Sequence, residues 1–124
     1  MSEELLITNV GKLRNLLHRV LKQQFAAEAD VKLTIEEFIL LNMIEMHTDQ
    51  ILQNIAIATG KNKSVVMRMI DSLEQKGLAR RTVNPDDRRE NLLSITERGA
   101  EVLSQYKEIE KRVSAELLSG IPAD

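Results

Sequence analysis

The chain of 124 residues contains no cysteine and no tryptophan, one tyrosine, two phenylalanines and two prolines. Without cysteine it can hold no disulfide, thiolate metal site or thiol-based redox sensor. With so few aromatics its core has to be built from Leu, Ile, Val and Met. No apolar run is long enough to span a bilayer. The start Met1-Ser2-Glu3-Glu4 is wrong for a secretory signal, so the expected location is the cytoplasm. His18 and His47 are the only histidines. A zinc site would need carboxylates such as Glu28 or Glu45 to complete it, and surface or capping histidines are the simpler reading. Asp86, Asp87 and Glu90 cluster, but no nucleophile, metal set or glycine-rich phosphate loop accompanies them. The sequence therefore reads as a non-enzyme with no cofactor.

What is present is ordinary for a globular protein: 43% hydrophobic and 29% charged residues. The length suits one domain, 1–124, able to bury a real core. The net charge of −2 argues against a nucleic-acid partner until its distribution is considered. Residues 61–89 hold eight cations against four anions, a net +4 that leaves −6 for the rest of the chain. A basic middle on an acidic frame suits a molecule that meets phosphate on one face only.

Residues 5–29 read as one long helix, with Leu6, Val10, Leu13, Leu17, Val20 and Leu21 recurring at spacings of three and four. Thr34 and Glu37 have capping-box spacing and open a second helix to about residue 46. That helix is apolar nearly all round (Ile39, Leu40 and Met43 included) and is expected to be central. Gln50-Ile51 is a candidate minimal strand. Residues 53–58 read as a brief helix and Thr59-Gly60 as a turn. Residues 62–76 then form a longer helix, with Lys63, Ser64, Met67 and Arg68 on one side and Val66, Met69, Ile70 and Leu73 on the other. Residues 78–83 and 91–95 look like paired strands around an arginine-tipped loop. Thr96 is a natural cap for a last helix, 97–118, striped by Val102, Tyr106, Ile109, Val113 and Leu117. Of the five methionines, those at helical spacing read as core filler apart from Met67.

These elements describe a mainly α winged helix-turn-helix with a small antiparallel β-wing, its reading lobe spanning 34–96. The helix 62–76 is sized for the major groove, and the hairpin can reach the neighbouring backbone or minor groove. The terminal helices carry more apolar surface than a small lobe can cover. Pairing with a second copy is therefore expected, in preference to the two helices packing only on each other. Lys61, Asn62, Lys63 and Ser64 open the reading helix, where backbone N–H groups also favour phosphate. Arg68 is the candidate for a base-edge or phosphate contact; its bland reading is a surface contact to Asp71 or Ser72. Arg88 and Arg89 at the wing tip would enter a narrow minor groove. The rival reading of the fold is a protein-interaction module without specific DNA binding.

The stretch Asn84-Pro85-Asp86-Asp87-Arg88-Arg89-Glu90-Asn91-Leu92-Leu93-Ser94-Ile95-Thr96-Glu97-Arg98-Gly99 resembles the wing and following helix start of the multiple antibiotic resistance regulator (MarR) family. Residues 64–78 are similar to that family's reading helix, and the order of elements matches from about residue 5 to 118. The resemblance implies a bacterial or archaeal homodimeric transcription regulator on a pseudo-palindromic operator in double-stranded DNA. It is expected to repress, and to be released by a small aromatic or lipophilic effector. It places Ser64 and Arg68 on DNA, Arg89 at the wing tip and Asp87 as the partner that orients that arginine. Val65 and Met67 depart from it, standing where members often carry threonine or another polar residue; Met67 could still contact a thymine methyl. The chain also stops before the final helix that most members use to complete the dimer.

Overall fold

The computed structural model describes residues 3–46, 50, 51, 60, 62–83, 85, 86 and 91–119. Among these residues four helices run α1 (Glu3–Glu28), α2 (Ile35–Met46), α3 (Lys63–Gln75) and α4 (Glu97–Ser119). Three strands, β1 (Gln50–Ile51), β2 (Ala79–Val83) and β3 (Asn91–Ile95), form one antiparallel sheet in the order β1-β3-β2. The minimal strand anticipated at Gln50-Ile51 is there, opposite Leu93 and Leu92. Between β2 and β3 the register pairs Ala79 with Ile95 and Val83 with Asn91, as a hairpin with its tip at 84–90 requires. The short helix anticipated at 53–58 lies outside the described residues. Gly60, in the expected turn, has φ +71°, a conformation that glycine adopts without strain.

The chain divides into two compact units, residues 36–104 and residues 1–35 with 105–124. The first contains the sheet, nearly all of α2, α3 and the start of α4. Its buried side chains include Phe38, Leu40, Leu41, Ile44, Val66, Ile70, Leu73, Leu78, Leu93 and Leu103. On α3 the buried set Val66, Ile70 and Leu73 follows the i, i+4, i+7 spacing of the sequence pattern, with Met69 half-buried. The helix α2 was expected to be central. Phe38, Leu40, Leu41 and Ile44 are buried, whereas Ile39 is 49% exposed.

The ends of α3 and α4 explain why the motif Ile95-Thr96-Glu97-Arg98-Gly99 is so compact. Gly77 has φ +75° and closes α3. Its N–H donates to the Glu74 carbonyl at 2.9 Å and the Leu78 N–H donates to the Leu73 carbonyl at 2.9 Å, the paired bonds of a glycine-closed helix. The Thr96 hydroxyl accepts from the Gly99 N–H at 2.9 Å, capping α4, and donates to the Gly77 carbonyl at 2.6 Å. The Thr96 N–H donates to the Leu78 carbonyl at 3.0 Å. The approach is so close that a Cβ on Gly99 would lie 2.0 Å from the Leu78 carbonyl oxygen. Only glycine fits there.

In the other unit Tyr106 is fully buried and its ring lies 4.5 Å from that of Phe25, centroid to centroid, tilted by 54°. Its hydroxyl donates to the Val31 carbonyl at 2.6 Å and accepts from the Leu33 N–H at 2.7 Å, satisfying the backbone of the turn after α1. Arg112 on α4 grips the Glu28 carboxylate with both terminal nitrogens. This bidentate bond holds the Glu28 carboxyl below its ordinary pKa and raises that of Arg112. Of the α1 stripe, Leu21 is buried and Leu17 and Val20 are half-buried, whereas Leu6, Val10 and Leu13 are exposed.

Candidate nucleic-acid interface

The outer face of α3 is built from its first two turns. Asn62 adopts an extended conformation (φ −72°, ψ 159°) and its side-chain oxygen accepts from the Val65 N–H at 2.9 Å, so it starts the helix as a side-chain cap. The first turn of α3 contains no acidic residue, in contrast to Glu36 and Glu37 in α2 and Glu97 in α4. The positive end of the α3 dipole is therefore not offset by a carboxylate of its own first turn, and Lys63 adds a full charge there. Lys63, Ser64, Met67 and Arg68 are all exposed on this helix.

Arg68 has no hydrogen-bond or ion-pair partner among the described residues, because its two nearest candidates are engaged elsewhere. Asp71 and Glu74 both lie against the Arg81 guanidinium of β2, at 2.6 and 2.8 Å. Ser72 donates its hydroxyl proton to Glu37 at 2.7 Å. The bland reading of Arg68 therefore loses both of its proposed anchors. Arg81 also reduces the electrostatic objection to this face, since the two acids of α3 share its one positive charge.

Glu37 was read from the sequence only as part of a helix cap. It is 7% exposed, and the same carboxylate oxygen also takes a bond from the Lys76 ammonium at 3.3 Å. Glu37 thus ties α2 to the second half of α3, with both α3 donors one turn apart. The sequence offered only its spacing from Thr34, which says nothing of a later helix.

Lys61, Asp87, Arg88 and Arg89 lie outside the described residues. Arg80, on β2 beside Arg81, is exposed and adds a cation that the sequence reading had counted but not assigned. Among the described residues no group of three or more His, Asp or Glu side chains could hold a metal ion, and no helix is long and apolar enough to cross a membrane.

A helix followed by an antiparallel hairpin is also the fold that comparison with known structures returns. The sequence profile of the MarR family matches residues 33–91. The match begins just before α2 and ends at the first residue of β3, so it covers the lobe except for most of β3 and the Thr96 cap. Solved structures agree on the fold. FabT from Streptococcus pneumoniae, in complex with DNA, superposes with a TM-score of 0.83 at 16% identity, over 98% of this chain and 85% of that one. A mutant MarR from E. coli complexed with operator DNA gives 0.79 at 23% identity, over 96% and 84%. The PcaV transcriptional regulator from Streptomyces coelicolor gives 0.79 at 19% identity, over 94% and 83%.

Proposed function

We propose that this chain is a sequence-specific DNA-binding transcription regulator that works as a homodimer in the cytoplasm and has no enzymatic activity. The observation that carries the reading is the Arg68 guanidinium, without an ion-pair partner among the described residues, on an exposed helix face whose two acids lie against Arg81. In the major groove such an arginine can bond guanine O6 and N7 together. Lys61, Asn62, Lys63 and Ser64 lie at the end of α3 that suits a phosphate. Arg88 and Arg89 at the wing tip reach the adjacent minor groove, with Asp87 orienting the arginine. The exposed stripe Leu6, Val10 and Leu13 is the surface on which a second copy pairs. Two reading helices would then meet half-sites about 34–36 Å apart on a pseudo-palindromic operator. The MarR-family match, and the DNA bound to the structural relatives from S. pneumoniae and E. coli, support this reading. Repression, with release by a small aromatic or lipophilic molecule, fits the same reading. Such a molecule would have to bind the non-reading form of the dimer more tightly.

The test is a selection of duplexes from a random or genomic pool, followed by gel-shift titration at several salt concentrations. Arg68→Ala is expected to cost about 1–3 kcal/mol and to relax specificity at one base pair. Unchanged affinity and specificity would remove the assignment. A protein-docking role, favoured only by the exposed Met67, would show itself as binding to a protein partner that is indifferent to salt.

A further inference from the structure

Met67 is 36% exposed on α3, between Ser64 one turn before it and Arg68 beside it. It has no share in the buried side of the helix, which Val66, Ile70 and Leu73 supply. Its surroundings on the open face are polar: Lys63, Ser64, Arg68, Asp71 and Gln75 are all exposed. A single apolar group among charges and hydroxyls is too small a patch to dock a protein surface. The major groove offers a target of matching size, because the thymine C5 methyl is the one apolar feature that distinguishes base pairs there. The methionine side chain is long, unbranched and polarizable, and it can adapt its reach to a methyl group at that depth.

We infer that Met67 reads the C5 methyl of a thymine in each half-site, next to the base pair contacted by Arg68. The inference rests on the regulator reading and deepens it, since it names one feature of the operator. Ser64 and Arg68 supply hydrogen bonds on either side of the contact. Met67 supplies an apolar contact with a longer reach than a threonine methyl has, which gives its departure from a polar residue a chemical meaning.

The experiment uses the full chain and the duplex that selection returns. Each thymine is replaced in turn by deoxyuridine, which removes only the C5 methyl, and affinities are measured for the native chain, Met67→Ala and Met67→Leu. One thymine per half-site is expected to show about a fourfold loss on replacement, the value of one buried methyl-sized group. Met67→Leu should keep that loss, and Met67→Ala should abolish it. An equal loss in all three proteins would mean that the methyl acts through DNA shape, and would overturn the inference. A scan with no sensitive thymine would overturn it too, while leaving the regulator intact. Failure to enrich any duplex, by contrast, would overturn the regulator reading and carry the inference down with it. Unchanged thermal melting of the two variants would tie the losses to contact with DNA.

Discussion

The unit of residues 36–104 and the unit of residues 1–35 with 105–124 both leave large apolar side chains in solvent, but in different patterns. In the first, Ile39, Met46, Met67 and Val83 are scattered over three elements. In the second, Leu6, Ile7, Val10, Leu13 and Leu16 crowd the first half of one helix, and Leu6, Val10 and Leu13 fall on a single face. Scattered apolar groups are normal on any protein surface, whereas a continuous stripe marks a surface meant to be covered. The polar contacts differ in the same way. The reading unit secures its helix from several sides, through Gly77, Thr96, Glu37 and Arg81. Among the described residues, the helical unit secures its turn through Tyr106 and Lys32, and its helices through the surface contacts of Arg112. One unit is finished; the other leaves a seam.

The most severe way to break the finished unit is Gly99→Ala. Its new Cβ would meet the Leu78 carbonyl oxygen and carbon at 2.0 and 2.9 Å, both backbone atoms that cannot rotate away. A loss on the order of 4 kcal/mol is expected, read from urea unfolding of the variant. A midpoint equal to that of the native chain would show that the junction between α3 and α4 is not the fixed point described here. The seam is tested by the double change Leu6→Ser with Val10→Ser. It should weaken self-association by about 3 kcal/mol, seen in sedimentation equilibrium, while the helical circular dichroism signal persists. A variant that stays as associated as the native chain would place the pairing surface elsewhere.

The smallest effect concerns Glu28 and Arg112. The bond from Arg112 holds the Glu28 carboxyl below its ordinary pKa in the folded chain. The unfolded chain therefore binds the proton more readily, so the pair contributes at neutral pH and its contribution fades as the pH falls through the folded-state value. Arg112→Ala should be slightly less stable than the native chain at neutral pH, with the gap closing in acid. The gap is small because both groups face solvent. A gap that widened toward acid would reverse the sign of this argument.

Much of this molecule was legible in its sequence because the evidence is local. The order and type of the described elements, the buried side of α3 and the Thr96 cap all follow from spacings of a few residues. The partners of Glu37 do not. Ser72 and Lys76 stand 35 and 39 positions away, and a capping-box spacing cannot announce a carboxylate shared with a later helix. Arg81 is a similar case: the charge count included it, but its position opposite Asp71 depends on how the strand lies against α3. For a different reason, the exposure of Ile39 on α2 was not legible. Hydropathy reports what a side chain would prefer, and the available neighbours decide whether Ile39 receives it.

The Thr96 hydroxyl gives one proton to the carbonyl of Gly77 and takes one from the N–H of Gly99, 19 residues apart along the chain in the first case and three in the second. A lone oxygen atom is thus the rivet between the tail of the reading helix and the head of the longest element that follows it. Exchanging that hydroxyl for a methyl, as in Thr96→Val, would fray two helices at once with hardly any change in volume.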